Sequence, residues 1–139
     1  MKYSQEISCS KDNLRLIRDF IKETLTIHAI PENEIHSMVL AMDEMCANLI
    51  IHSHHCNIAE SFEIQIIISK RAGVTFKILD ENEMFDLLNY ESPSLDELVK
   101  TQRKGGIGLI LVKKIMDEIT FRSENGKNCC CLFKKVEVQ

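Results

Sequence analysis

Residues 61–69, SFEIQIIIS, and residues 73–80, GVTFKILD, decide the fold because apolar and polar side chains alternate along both stretches. Alternation with a period of two, in segments rich in Ile, Val and Phe, is typical of half-buried β-strands. Only the residues KRA at 70–72 separate the stretches, and Gly73 opens the second. The pair therefore predicts an antiparallel hairpin.

Upstream of this hairpin the sequence predicts one strand and two helices. Residues 3–9 have the pattern of a short strand, and Ser10 is a candidate N-cap for the helix that follows. The apolar residues then recur every three or four positions, which is the spacing of one face of an α-helix. The first helix carries Leu14, Ile17, Ile21 and Leu25, and the second carries Ile35, Met38, Met42, Met45 and Leu49.

Downstream, a polar stretch at 81–104 precedes the turn KGGIG, which opens a third helix from about Gly108 to Asp117. Strands are expected at 118–124 and 129–136, joined by a turn at Asn125 and Gly126. The predicted order is β-α-α-β-β-loop-α-β-β. We therefore expect an α+β fold, a two-layer sandwich whose mostly antiparallel sheet carries three helices on one face.

Composition and charge narrow the classes of function. The 139 residues are 45% apolar and 27% charged, which predicts a single domain over 1–139. The formal charge of −4, with scattered lysines and arginines, argues against direct nucleic-acid binding. No apolar run reaches the ~20 residues that span a bilayer, and the first residues are too polar for a secretory signal. We expect a cytoplasmic protein without a membrane partner.

The cysteine and histidine clusters give weak indications of metal binding. Three cysteines are dispersed and three are contiguous at 129–131, a poor disulfide framework, so reduced thiols are expected. Neighbouring residues of a strand point to opposite faces, so these three sulfurs do not surround one ion. The histidines within His52–Cys56 are consecutive at a helix end and are expected to diverge.

A polar line follows the second helix, where Glu44, Asn48 and His52 are spaced by four residues. An Asn carbonyl oxygen suits Mg²⁺, and a carboxylate one turn earlier could take a proton from an attacking hydroxyl. The alternative is a solvated helix edge, which spacing alone favours because such polar triplets are common on half-buried helices. Both interpretations stay open at this level.

The turn before the third helix is a candidate phosphate site. Gly105, Gly106 and Gly108 stand at the start of that helix, where free N–H groups and the helix dipole favour anions, and Arg103 and Lys104 add positive charge. A flexible loop before a buried helix is an equally good explanation. The position of the turn fits neither a dinucleotide-binding βαβ unit nor a P-loop.

Asp80 is a further candidate because it ends a strand, where its carboxylate could accept a hydrogen bond from an amine such as that of adenine. Taken alone, it is a strand-end acid.

In combination, the stretches MDEMCANLIIHS (42–53), ILDENEMFD (78–86) and RKGGIGLILVKKIMDEI (103–119) resemble three sequence boxes of the anti-sigma-factor serine/threonine kinases of the GHKL ATPase superfamily. SENGKNCCCLFKK (123–135) is similar to the closing strand of those kinases, so the resemblance covers most of the chain. It implies a Bergerat-type ATP-binding fold. It also implies a homodimer built on the first strand and helix.

The resemblance implies ATP and Mg²⁺ as cofactors and assigns a role to each motif residue. Asn48 corresponds to the residue that holds Mg²⁺ against the phosphates, and Glu44 to the base for the attacking serine. Asp80 corresponds to the adenine-binding acid. The glycines correspond to the lid over the phosphates, with help from Lys104 or Arg103.

Two departures from the pattern weaken the adenine side. The box that usually reads Asp-x-Gly-x-Gly has Asn82 and Met84 in place of its glycines, and only Asn82 adopts left-handed geometry cheaply. The usual Gly-Thr-Thr of the closing strand is replaced by residues 128–130, where the thiol of Cys130 is a weaker hydrogen-bond partner than a hydroxyl. The Mg²⁺ and phosphate side is intact.

The resemblance therefore implies an ATP-dependent serine kinase that binds a sigma factor and phosphorylates an anti-sigma-factor antagonist. The alternative is a non-catalytic or weakly ATP-binding partner-switching regulator with the same fold. A metal-binding or redox protein that uses the His or Cys cluster ranks last.

Overall fold

The strands and helices follow one another in the predicted order. The structure is a computed structural model that describes residues 1–81 and 104–138, without the side chains of residues 52, 53 and 104–109. Within those residues it has strands β1 Lys2–Ser8, β2 Ser61–Ser69, β3 Gly73–Asp80, β4 Glu118–Glu124 and β5 Lys127–Lys134, and helices α1 Asn13–Ile27, α2 Glu32–Asn48 and α3 Lys104–Ile115. The predicted polar loop lies almost wholly outside the described residues.

The five described strands form one sheet in the order β1-β2-β3-β5-β4. Each described pairing is antiparallel, and β3 and β5 become neighbours because the chain between them crosses over through α3. The β2–β3 hairpin has the predicted bounds. The β4–β5 turn also matches the prediction, because Asn125 (φ 52°) and Gly126 (φ 78°) both adopt left-handed backbone geometry.

A single apolar core lies between one face of the sheet and the helices. The strands contribute alternate residues, among them Ile64, Ile66, Phe76 and Ile78, and the helices contribute the predicted stripes, among them Ile17, Ile21, Met38 and Met42. α2 packs against both α1 and α3, so it is the central helix of its layer. The predicted two-layer α+β fold is confirmed.

Two helices begin at residues other than those predicted. α1 begins at Asn13, and Ser10 is not its N-cap. The Ser10 hydroxyl instead accepts from the N–H of Asp12 at 3.3 Å, within a turn that precedes the helix. α3 begins at Lys104, so the glycines lie in its first turns and not in a loop ahead of it. Glycine costs a helix about 1 kcal/mol relative to alanine, which packing against α2 can offset. α3 ends before Asp117, whose N–H donates to Phe133 O at 2.8 Å.

After Asn48 the chain widens into one turn of π-helix, Leu49–Ser53. The N–H of His54 donates to Leu49 O at 3.0 Å, which is the i→i−5 spacing of a π turn. This turn interrupts the predicted regular spacing of four between Asn48 and His52. It also directs the chain from α2 toward the start of β2.

None of the helices within the described part of the chain is long and apolar enough to cross a lipid bilayer.

Candidate functional site

Glu44 and Asn48 lie on one flank of α2, and both are half-buried. The opposite flank faces α1, because Asp43 accepts a hydrogen bond from Arg18 Nη1 at 2.9 Å. At about 100° per residue, Glu44 and Asn48 are turned about 100° and 140° from Asp43 around the helix axis. The pair therefore lies away from α1, on the side of α2 where α3 packs.

The amide of Asn48 has unmet hydrogen-bonding capacity. Its Nδ2 atom is buried and has no hydrogen-bond partner among the residues that the structure describes. A buried polar group without a partner costs about 1–3 kcal/mol, so an Asn in this state is suited to a ligand that supplies the missing contact.

The predicted phosphate site is described in backbone only. Lys104, Gly105, Gly106 and Gly108 form the first turns of α3, whose N-terminus carries unpaired N–H groups and partial positive charge. Asn82 and Arg103 lie outside the described residues. The glycine-rich segment therefore lies at the start of α3, the helix that packs against α2. The phosphate-binding role of these residues stays a prediction.

Asp80 ends β3 on the face of the sheet that carries the helices, and it is 2% exposed. Its Oδ2 atom lies 2.5 Å from His54 Nε2. The other ring nitrogen, Nδ1, lies 2.9 Å from Glu60 Oε2. Because carboxylates only accept, both ring nitrogens donate in this arrangement, and the ring is an imidazolium between two carboxylates.

The electrostatics agree with this assignment. Burial lowers the pKa of His54, but hydrogen bonds to Asp80 and Glu60 and their charges outweigh it, so the pKa of His54 is raised above its usual value. Cys9 lies near the same cluster. Burial, followed by the charges of Asp80 and Glu60, raises the pKa of the Cys9 thiol to about 11.

A cleft of ≈ 580 Å³ opens beside this cluster, at the end of β3 and the beginning of β2. Its lining is polar and includes five acidic residues together with two basic ones: Glu6, Glu60, Glu63, Asp80, Glu81, His54 and Lys127. Asp80 and His54 belong to the lining of the cleft, but both side chains are almost fully buried.

The closing strand places Cys130 in the apolar core, and its predicted role beside the adenine stays a prediction. Cys130 is fully buried opposite Ile78 and Phe121, and burial raises the pKa of its thiol. The residue of β5 directly opposite Asp80 is Asn128. Of the three substituted positions, Asn128 is the one closest in register to the acid.

The other two cysteines of the run lie on the opposite face of the sheet. The Sγ atoms of Cys129 and Cys131 are 3.6 Å apart, and the pair packs with Leu79. The expected alternation along the strand is therefore present. All six cysteines are free thiols, and within residues 1–81 and 104–138 no group of three or more His, Cys, Asp or Glu side chains is arranged to hold a metal ion.

His54 and Glu60 are the site residues that sequence reasoning missed. The sequence shows histidines at 52, 54 and 55. A regular helix, however, gives no reason to expect a contact between His54 and Asp80. The signal was the presence of a histidine and a glutamate on either side of a short polar loop before β2. Their contact depends on the π turn, which no pattern in the sequence indicates.

Fold and site together define a two-layer α+β domain with a polar site at one end of its sheet. The histidine kinase-like ATPase domain family matches residues 7–134, so the chain belongs to that family. The match confirms the superfamily to which the sequence boxes point, and this family implies nucleotide binding. No curated protein sequence is significantly similar to the chain.

A solved structure with the same fold is "The crystal structure of the RsbU and RsbW domains of Rv1364c from Mycobacterium tuberculosis", with a TM-score of 0.69 and 12% sequence identity. The similarity covers 98% of this chain and 32% of that one, so the chain spans about a third of that protein's chain. At this identity the likeness shows the fold alone.

The described residues fit a magnesium nucleotide differently at its two ends. On the phosphate side, the buried Nδ2 donor of Asn48 has no partner within the described residues, and the neighbouring helix α3 begins there with a helix N-terminus. On the base side, Asp80 is in position at the end of β3, but it already binds His54. The fit is therefore good for the phosphates and altered for the base.

Proposed function

We propose that this chain is an ATP-dependent serine protein kinase that binds a sigma factor and phosphorylates an anti-sigma-factor antagonist. The observation that carries the proposal is the half-buried pair Glu44 and Asn48 on the α3 side of α2, where the Nδ2 donor of Asn48 lacks a partner among the described residues and can donate to a phosphate oxygen. The family supports nucleotide binding, and the sequence boxes support the kinase type.

In this proposal each residue has one task. Asn48 holds Mg²⁺, which neutralises phosphate charge when bound. Glu44, one turn earlier on the same flank, accepts the proton of the attacking serine hydroxyl. The start of α3 binds the phosphates through backbone N–H groups, aided by Lys104 and Arg103. Asp80 accepts from the adenine amine, and Asn82, two residues later, and Cys130 of the closing strand complete the base side.

The wider setting is part of the same proposal. The chain acts as one domain in the cytoplasm, as a homodimer, and its partners are the sigma factor and the antagonist. The solved structure with the same fold contains RsbU and RsbW domains, which supports a regulator of the partner-switching kind.

A second candidate is a partner-switching regulator that binds ATP weakly and does not transfer phosphate. The bond between Asp80 and His54 favours it, because an acid that already has a strong partner gains less from an adenine amine. The two candidates differ in whether the protein transfers phosphate with the carboxylate of Glu44 as the base.

The test compares Glu44→Gln with Asp43→Asn, a matched loss of one carboxylate on the opposite flank of α2. The kinase proposal expects Glu44→Gln to lower transfer of labelled γ-phosphate to a purified candidate antagonist by about 10²–10⁴-fold, the usual contribution of a general base, while calorimetry shows Mg-ATP binding unchanged. Asp43→Asn keeps full transfer. Wild-type binding without transfer to any antagonist of the same genome supports the second candidate instead.

A further inference from the structure

The face of the sheet opposite the helices carries two thiols in direct contact. Cys129 and Cys131 are two residues apart on β5, so both side chains point to this face, and their Sγ atoms lie 3.6 Å apart. Both residues are buried, with 1% and 9% of their surfaces exposed, and they pack with Leu79 of β3. The two sulfurs therefore form a small cluster that is separate from the core between sheet and helices.

A salt bridge crosses β5 beside these sulfurs. Lys77 lies in β3 directly opposite Cys131, and its Nζ atom is 3.2 Å from both carboxylate oxygens of Glu124 in β4, on the other side of β5. Arg122 lies in β4 directly opposite Cys129, and its Nη2 atom is 3.4 Å from Glu124 Oε2. A positively charged side chain therefore stands beside the sulfurs on each neighbouring strand.

The two sulfurs can stay in contact only if they keep a proton or share a cation. Burial raises the pKa of the Cys129 thiol to about 12, and the contact with Cys131 and then Glu124 add to the effect. Two thiolates at this separation would repel each other. A metal ion that replaces the thiol protons removes that repulsion. Two thiolates and a monovalent ion keep one negative charge, which Lys77 and Arg122 are placed to offset.

The number of sulfurs decides which metal ion the cluster suits. Thiolates are soft ligands that select Cu(I), Zn²⁺ and iron–sulfur clusters. Structural Zn²⁺ has four protein ligands, and an iron–sulfur cluster is held by four cysteines. Within residues 1–81 and 104–138 no group of three or more His, Cys, Asp or Glu side chains is arranged to hold a metal ion. Cu(I) differs from both alternatives because it is stable with two sulfur ligands alone.

We propose that Cys129 and Cys131 form a two-coordinate site for Cu(I) on the outer face of β5. Each thiol releases its proton to solvent and each sulfur forms one bond to the ion, so nothing is oxidised or reduced. The charge of Lys77 stabilises the complex, and the charge of Glu124 opposes it. The site does not depend on the proposed function, because it lies on the face of the sheet away from α2 and α3.

The experiment adds the reduced full chain, without oxygen, to Cu(I) held by the coloured chelator bicinchoninate. We expect the wild type to withdraw one Cu(I) per chain. Cys129→Ser and Cys131→Ser should each lower the affinity about 100-fold, because a hydroxyl is a hard and poor ligand for a soft ion. Cys56→Ser is the matched control, since it removes the half-buried and more accessible thiol and should leave the affinity unchanged.

Two charge variants test the setting of the sulfurs. Lys77→Met should lower the Cu(I) affinity about tenfold, and Glu124→Gln should raise it by a similar factor, because the two side chains have opposite charges beside the complex. If the salt bridge only held the strands together, its loss would change the affinity in the same direction in both variants. That outcome would contradict the role of the two charges.

X-ray absorption of the wild type loaded with Cu(I) does not depend on the folding of any variant, and it should show two sulfur neighbours. Three or more sulfur neighbours would overturn the inference. It would also be overturned by a wild type that withdraws no Cu(I), by a loss of binding in Cys56→Ser with none in Cys129→Ser, or by Zn²⁺ that binds as tightly as Cu(I).

Discussion

The buried His54 imidazolium links the stability of the fold to pH. Its hydrogen bonds to Asp80 and Glu60 raise its pKa in the folded state above the unfolded value of about 6.5. A group with a raised folded pKa contributes stability that is fully present below the unfolded pKa and is lost as pH rises through the folded pKa. The free energy of unfolding should therefore decline as the pH rises above the unfolded pKa of histidine and through the raised folded pKa of His54.

We expect this decline in urea denaturation of the wild type as the pH is raised above about 6.5, since the window begins near the unfolded pKa of histidine. The comparison is the double variant His54→Phe with Asp80→Asn, which removes the charged ring and the buried carboxylate together. Its other histidines are those of the wild type, so their effects cancel. A double variant with the same pH slope as the wild type would show that the His54 charge does not stabilise the fold.

The two hairpins differ in how strictly each one needs its glycine. Gly73 has φ 133°, and a Cβ there would overlap the backbone carbonyl oxygen of Lys134 in β5. Gly126 has φ 78°, but a Cβ there would meet no atom within 4 Å. A side chain at position 73 would therefore cause both backbone strain and a steric clash, whereas a side chain at position 126 would cause backbone strain alone.

Gly73→Ala should lower the free energy of unfolding by at least about 2 kcal/mol, because the clash is with backbone and cannot be relieved by a side-chain rotation. Gly126→Ala should cost only about 1 kcal/mol. Urea denaturation of both variants checks the order. Equal losses would contradict the close approach of β3 and β5 at Gly73.

The elements that sequence patterns predicted best are those fixed by local chemistry. The β2–β3 hairpin follows from alternation, and the β4–β5 turn from Asn125 and Gly126, which reach positive φ cheaply. The starts of two helices differ from the prediction. Ser10 does not cap α1, because its hydroxyl accepts from an N–H in the preceding turn. The glycines do not delay α3, because a helix that packs on a neighbour tolerates glycine in its first turns.

Asn48 and Asp80 could be selected by spacing and by their place at the end of an element. The contact of Asp80 with His54 could not, since it joins residues 26 apart through a π turn whose wider hydrogen bonding no local preference indicates.

The whole molecule is expected to open as one cooperative unit, and its thiols can report this. Cys9 follows β1, Cys46 lies in α2 and Cys130 lies in β5, yet all three are fully buried in the same core. Thiolates are the reactive form, and burial raises the pKa of each of these thiols. Each one should therefore react with an alkylating reagent only when the core opens.

Under native conditions, mass spectrometry after iodoacetamide labelling should show these three thiols modified at one common rate with one common dependence on urea, because a single core exposes them together. The half-buried Cys56 should react faster and serve as the internal control for reagent activity. Mg-ATP at 100 times its dissociation constant should slow the three core thiols about 100-fold, since a ligand of the native state makes opening that much rarer. Three different rates would show that α2 and β5 open separately, and they would contradict a single domain. A common rate that Mg-ATP leaves unchanged would agree with a single domain but contradict nucleotide binding.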